Sequence, residues 1–435
     1  MNRLKRKTPI IFIPGLMGSM GDDIIKGSGS WSFGMARWVY NPLIRGLESM
    51  GYVIKQNLFI CYYDWRKNTE EIIPLYLLPL IRKVEEFYPG EKIDIICHSM
   101  GGIVARSYIQ NNNYRFNINK LIMIGVPNKG AIAAYYFWSK GQVLLNKEKN
   151  NFMNLIYQGY IWILFKLMGI SNDTKNLNTI HETFPAIKEL IPSYDYGEFL
   201  YYRAHDGEWL TLPENLSLYS NDLLNKLNGK LPLALEDSQE IYNIMGYNQI
   251  TPEYLIINGQ DYHYNLEEII IDSIWNLGGD GVVTVKSAEL GEGHTYYLEA
   301  GHRGLLAQSV NYIKDIYKVD VLDLHEDIPT DEPITLHILF RGNFNFTVFN
   351  NQEKILLFTN GQIESDFQVL HEKFQKVYNW IIIDQLPKGR YFINFENYKL
   401  DSLDILILSE GLREFRGRKE LSVHRRNFTY GFIIA

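Results

Sequence analysis

Four short apolar runs mark the first third of the chain: Ile10–Ile13, Leu58–Tyr62, Ile93–Cys97 and Leu121–Val126. Each is nearly continuous in Ile, Leu, Val and aromatic residues, the pattern of a strand covered on both sheet faces. Segments with helical spacing separate them, at Met35–Met50, Ile72–Tyr88 and Gly102–Gln110. Buried strands alternating with helices predict an α/β class with a doubly wound parallel sheet. The rhythm breaks after Pro127. From about Ala131 to Gln249 the chain is rich in Tyr, Trp, Leu and Asn, with no regular strand spacing. The strand pattern resumes at Glu253–Asn258 and again at Thr295–Glu299. Residues 131–249 therefore read as a cap or lid inserted into a core formed by 1–130 and 250–317. Insertions at the carboxyl edge of such a sheet overhang the crevice where ligands bind.

After about Lys318 the runs shorten again, at Leu336–Phe340, Phe344–Phe349, Lys354–Phe358, Val377–Ile383 and Arg390–Asn394. Asn360-Gly361 and Pro387-Lys388-Gly389 supply turn chemistry between them. Residues 318–435 are expected to form an all-β sandwich.

Composition narrows the function classes. At about 150 residues per domain, 435 residues predict two or three domains. A hydrophobic share of 46% excludes a wholly disordered chain. Forty-three Lys and Arg against 50 Asp and Glu give a formal charge of -7, which argues against a nucleic-acid partner. Cys61 and Cys97 are too few for a disulfide-built scaffold or a four-thiolate zinc site, and both sit in apolar runs. Arg3, Lys5, Arg6 and Lys7 precede the apolar run Pro9–Pro14, but that run is short and lacks a cleavage site. It reads as a first buried strand. The most apolar stretch elsewhere, Leu155–Ile170, contains Gln158 and Lys166 and falls short of a membrane span. A cytoplasmic location is the expectation. Phe152–Ile170 reads as an amphipathic lid helix that meets an acyl pocket or a lipid surface, or as a cap helix packed on the core. The basic tail of Arg413, Arg416, Arg418, Lys419, Arg425 and Arg426 is interleaved with Glu414 and Glu420. It reads as a solvated strand face, with anionic lipid as the alternative.

The sharpest chemical signal is Ile93-Asp94-Ile95-Ile96-Cys97-His98-Ser99-Met100-Gly101-Gly102. A buried strand ends in a serine with Cys97 two residues before it and Gly101 and Gly102 after it, and a helical pattern begins at once, as a nucleophile elbow requires. Cys97 stands where the usual motif has glycine. The helix amino terminus places partial positive charge beside the serine, and the Met100 N–H is the expected oxyanion donor. A second turn, Pro14-Gly15-Leu16-Met17-Gly18-Ser19, follows the first strand, and Leu16 is the candidate for the other donor. Asp280, between glycines in Gly279-Asp280-Gly281, is the candidate acid; Asp261 and Asp272 are less well placed. His302 follows a strand in Gly301-His302-Arg303-Gly304 and is the candidate base, whereas His294 opens that strand at its far end. His98 adjoins the serine but is expected to pack or hydrogen-bond rather than act as base.

These segments resemble the lecithin:cholesterol acyltransferase-like lipases and acyltransferases of the α/β-hydrolase superfamily. Pro14–Ser19 is similar to that family's oxyanion loop, and Tyr63-Asp64-Trp65-Arg66 to its Tyr-Asp-Trp-Arg signature. Val126-Pro127-Asn128-Lys129-Gly130, Gly279-Asp280-Gly281-Val282-Val283 and the His302 segment are similar to its other motifs, in the same order. The resemblance spans roughly residues 9–310 and stops before the C-terminal β region, whose partner stays open. It implies a serine esterase of acyl lipids with Ser99, Asp280 and His302 as triad and Leu16 and Met100 as oxyanion donors. Lipase, phospholipase and acyltransferase activities all fall within it. Asp64 and Arg66 are expected to pin a loop by charge-assisted bonds, with Tyr63 and Trp65 supporting the loop or the substrate pocket. The alternatives from the residues are a thioesterase or small-ester hydrolase that never meets an interface, and a binding protein on a hydrolase scaffold. His205-Asp206 and Asp261-Tyr262-His263 lack metalloprotease spacing, and no phosphate or dinucleotide loop is present, so neither metal nor cofactor is expected.

Overall fold

The computed structural model describes residues 7–24, 29–112, 114–144, 177–204, 206–212, 217, 219–231, 240–258, 270–319, 334–341, 345–350, 353–367, 369–374, 378–386, 389–396, 403–409, 419–421 and 427–434. The expected lid helix Phe152–Ile170, the His205 and Asp261–His263 sets, and all of the basic tail but Lys419 lie outside them. The chain forms two compact units: Met1–Met20, Trp31–Asn146 and Asp173–Asp320 in one, Gly21–Ser30, Lys147–Asn172 and Val321–Ala435 in the other.

The first unit is built on a six-stranded sheet, every pair of which is parallel. Its strands are β1 (Ile10–Ile13), β2 (Leu58–Ile60), β3 (Ile93–His98), β4 (Ile118–Ile124), β7 (Glu240–Gly246) and β10 (His294–Leu298). The order across the sheet is β10-β7-β4-β3-β1-β2. From β1 the chain goes first to β2 on one side, then returns to β3 on the other. That reversal opens a crevice at the carboxyl ends of β1 and β3, the place where doubly wound sheets hold ligands. Helices α1 (Arg37–Ser49) and α9 (Gly304–Ile316) cover one face. Leu43, Leu47, Leu306 and Ile313 join Ile10, Phe12, Ile96, Ile122 and Ile244 in one buried cluster. The arrangement is the doubly wound parallel sheet expected from the strand rhythm.

Three details differ from the sequence pattern. Ile72–Tyr88 is not one helix: α2 (Thr69–Ile72) passes through a π turn, Ile73–Leu77, into α3 (Leu78–Phe87). Asn68 caps the start, accepting from the Glu71 N–H at 3.1 Å. Pro74 and Pro79 each remove a helical N–H donor within the following residues. The second departure is that the central sheet resumes at β7, inside the segment read as pure insertion, and not at Glu253. Asn243 interrupts the apolar run of β7, and its buried amide donates to the Ala288 carbonyl at 2.8 Å. A polar residue buried with a partner is invisible to a hydrophobicity pattern. The third is that β8 (Gln249–Ile257) joins a separate sheet of order β6-β5-β8-β9, with β5 (Leu200–Arg203), β6 (Trp209–Thr211) and β9 (Ile270–Gly279). That sheet rises from the carboxyl end of β7 and returns the chain to Asp280.

The second unit holds two five-stranded antiparallel sheets. One contains Ile334–Arg341 and Tyr378–Leu386, the other Asn345–Asn350 and Gly389–Glu396. Leu336, Ile338, Ile381 and Ile383 from the first meet Phe346, Val348, Tyr391 and Ile393 from the second in one core. This is the expected β-sandwich. Asn360 and Gly361 both take positive φ, 52° and 79°, as a two-residue hairpin turn requires. Among the described residues no helix is long and apolar enough to cross a membrane.

Candidate active site

β3 is buried along its whole length and delivers Ser99 to the crevice. Ser99 has φ 52° and ψ -127°, a conformation that L-residues rarely adopt and that costs about 1–3 kcal/mol. The strain turns the chain sharply from β3 into α4 (Met100–Ile109) and leaves the hydroxyl half-exposed. The turn needs small neighbours. A Cβ on Gly101 would strike the Ile13 carbonyl, and one on Gly102 the Val126 side chain. Cys97 fits the position before His98 because its thiol lies flat in the sheet, 3.5 Å from the Ile122 carbonyl. Burial pushes both thiols up, Cys61 to about 12 and Cys97 further, which disfavours the thiolate at either position.

The structure brings Ser99, His302 and Asp280 into one hydrogen-bonded chain. His302 Nε2 lies 2.9 Å from Ser99 Oγ, and His302 Nδ1 lies 2.7 Å from Asp280 Oδ2. The His302 N–H also donates to the Asp280 carbonyl at 2.8 Å, fixing the two loops together. Asp280 Oδ1 accepts from the Val282 and Val283 N–H groups at 2.9 and 2.7 Å. The carboxylate is thus held at both oxygens and buried. Gly125, at φ 58°, clears the space beneath: a Cβ there would sit 3.2 Å from His302 Nδ1 and 3.3 Å from Asp280 Oδ2. His294 is elsewhere, exposed at the start of β10 and stacked on Tyr242 with centroids 5.1 Å apart. Asp272 is exposed in β9.

The second loop meets the serine from the β1 side. Gly15 is so close that a Cβ on it would lie 2.9 Å from Ser99 Cβ. Gly18 N–H closes a turn onto the Gly15 carbonyl at 3.0 Å, with Met17 at φ 60° and Leu16 partly exposed at its tip. Met100 is the first residue of α4, where N–H groups have no acceptor one turn back. Tyr63, Asp64, Trp65 and Arg66 brace this loop. Tyr63 O–H donates to the Pro14 carbonyl at 2.7 Å, and Trp65 Nε1–H to the Ser19 carbonyl at 3.0 Å. Arg66 donates to both oxygens of Asp64, at 2.8 and 2.7 Å. Trp65 is buried against Phe184, ring planes 6° apart. Beyond β4, Asn128 accepts from the buried Arg106 at 3.0 Å and donates to the Ala288 carbonyl at 2.7 Å, steadying the segment after Asp280.

Tyr40 carried no signal in the sequence, while His98 takes the hydrogen-bonding role expected of it. Tyr40, from α1, accepts the Gly15 N–H at 2.9 Å and lies 3.4 Å from His98 Nδ1. His98 Nε2 donates to the His302 carbonyl at 3.0 Å. Burial, with the neighbouring His302, holds the His98 ring well below the ordinary histidine range, so it is neutral. The loop of Gly15 and the backbone of His302 are therefore linked through two buried rings. Helical spacing could have put Tyr40 on the buried face of α1, but nothing short of the fold places it beside residue 15. Among the described residues no cluster of His, Cys, Asp and Glu could hold a metal ion.

Residues 30–164 match the family model of lecithin:cholesterol acyltransferase. Over that segment the chain is similar to lecithin:cholesterol acyltransferase. The likeness takes in Ser99 and Tyr63–Arg66, while Asp280 and His302 lie beyond the matched segment. A curated relative, phospholipase A(1) LCAT3 of Arabidopsis thaliana, is 24% identical over a match covering 61% of this chain and 66% of its own length. Solved structures with a similar course include a Bacillus licheniformis lipase, BlEst2 in its propeptide form, at TM-score 0.40 and 11% identity, covering 93% of both chains. Another is phospholipase PlaB of Legionella pneumophila, at TM-score 0.39 and 13% identity, covering 94% of this chain and 90% of that one.

Proposed function

We propose that the protein is a serine esterase of acyl lipids, a lipase or phospholipase that works through an acyl-enzyme on Ser99. The observation that carries this reading is the continuous chain Asp280–His302–Ser99, at 2.7 and 2.9 Å. Asp280 Oδ2 accepts the His302 Nδ1–H, which leaves Nε2 to accept the serine proton. Ser99 Oγ then bonds to the ester carbonyl carbon, and the carbonyl electron pair moves onto oxygen. The Leu16 and Met100 N–H groups stabilise that oxyanion. Its collapse breaks the ester bond, and His302 returns the proton to the leaving alkoxide. Water, deprotonated by His302, cleaves the acyl-enzyme and restores Ser99. An acceptor alcohol in place of water gives acyl transfer by the same steps, so the geometry serves both.

The acyl-lipid substrate class rests on the likeness to lecithin:cholesterol acyltransferase and to a phospholipase A(1). A surface feature supports it. Ile271, Ile274 and Leu277 on the edge strand β9, with Trp209 and Leu210 on β6, expose large apolar side chains on the sheet that leads into Asp280. Contact with a lipid surface through the cap is part of the proposal. Ser99→Ala is expected to lower turnover of a phospholipid ester by about 10³-fold or more and to abolish labelling by a serine-directed phosphonate. Undiminished turnover in that variant would refute the assignment.

A further inference from the structure

A cavity of about 520 Å³ opens beside the carboxyl end of α4, within the size range of small-molecule sites. Ser99 stands at the opposite end of that helix. Ser107, in the cavity lining, is eight residues on, roughly 12 Å along the axis. The cavity is therefore separate from the triad.

Its apolar wall comes from Ile73 and Pro74 in the π turn, Leu78 in α3, and Leu223 and Leu227 in α7 (Asp222–Asn228). π turns of this kind are frequent at functional sites. The polar side is cationic. Lys226 and Lys230 line it against one carboxylate, Glu70, and neither lysine forms an ion pair among the described residues. Lys230 Nζ is held in place, donating to the Gln110 carbonyl at 3.2 Å and to Asn112 Oδ1 at 3.3 Å. One helical turn from Gln110 is Ser107, which is only 9% exposed and whose hydroxyl meets no hydrogen-bond partner. A helical serine ordinarily returns its O–H to a carbonyl one turn back. Here a buried donor lacks an acceptor beside two ammonium groups.

We infer that this cavity is a binding site for a long-chain fatty acid. The carboxylate accepts from Ser107 and from the Lys226 and Lys230 ammonium groups, and the alkyl chain lies along Ile73, Leu78 and Leu223. Occupancy would bridge the π turn, the helix that carries Ser99, and α7. Those elements are already tied together, since Gln110 Nε2 donates to the Leu227 carbonyl at 2.6 Å and Arg106 Nη2 to Asn228 Oδ1 at 2.8 Å. The ligand is of the class that ester hydrolysis at Ser99 would release, but the site itself does not depend on that reading.

The test titrates carboxyl-¹³C palmitate into the full-length Ser99→Ala protein and follows the carboxyl resonance. The same titration is run with Lys226→Glu and with Leu223→Trp in that background, and hexadecanol serves as a competitor. The expected result is one saturable palmitate signal whose affinity falls at least tenfold in both variants, with hexadecanol competing at least tenfold more weakly than palmitate. Lys226 is exposed, so its variant folds; thermal unfolding of each variant without palmitate checks this. Palmitate affinity unchanged in both variants, hexadecanol binding as tightly as palmitate, or uptake without saturation would each overturn the assignment. Because Ser99 is replaced, these outcomes are independent of whether Ser99 turns over esters.

Discussion

His98 joins Tyr40 to the His302 carbonyl, and its neutral ring can do this only as the Nε2–H tautomer. Under the proposed chemistry it positions the base without touching substrate. His98→Leu keeps the volume and loses the donor; His98→Gln keeps a donor near Nε2. The leucine variant is expected to lower kcat about 10-fold with KM little changed, and glutamine to recover part of the loss. Equal activity in both variants would reduce His98 to packing. Ser99 and its glycines were legible in the sequence because an elbow imposes small residues at fixed offsets. The Tyr40–His98 link was not, because its members are 58 positions apart and only the close approach of α1 to the β1 loop joins them.

Two elements outside the central sheet carry their own predictions. The short helical segment Pro185–Leu190 docks on the start of α2 through Glu189, which accepts the Thr69 N–H at 2.9 Å and lies 3.3 Å from its hydroxyl. Burial raises the Glu189 carboxyl to about 7. A carboxyl whose folded pKa is raised binds its proton more tightly in the folded state, so its contribution to stability is fully present below the unfolded value and is lost as pH rises through about 7. Glu189→Gln should therefore gain thermal stability relative to the parent between about pH 5 and about pH 8. A constant difference across that range would contradict the shift. On the edge strand β9, Ile271→Ser with Leu277→Ser should cut turnover of vesicle phospholipid several-fold and leave a dispersed short-chain ester unaffected. Equal losses on both substrates would favour an esterase that does not act at interfaces. The strands β1 to β4 were readable because both faces are buried and apolar. β7 was not, because the polar Asn243 sits at its centre, buried with its amide bonded to the Ala288 carbonyl 45 positions away.

At the scale of the whole molecule, each compact unit has its own hydrophobic core. Calorimetry should resolve two unfolding transitions. Phe346→Ala, at a fully buried position of the sandwich core, should lower one of them by about 3–5 kcal/mol. A single transition shifted as a whole would show that the two units unfold together. The sandwich itself was foreseeable from closely spaced short runs and from Asn360-Gly361, whereas its role has no signature in residue pattern. For the unit that holds Ser99 the central claim of the proposal is a covalent bond to that serine. The direct measurement is intact-protein mass spectrometry of enzyme acid-quenched during turnover of a p-nitrophenyl acyl ester, followed by peptide mapping. The account predicts a mass increase of one acyl group located on Ser99 and absent from Ser99→Ala. An acyl group on another residue, or turnover with no covalent adduct in a His302→Ala variant that still releases product, would contradict it.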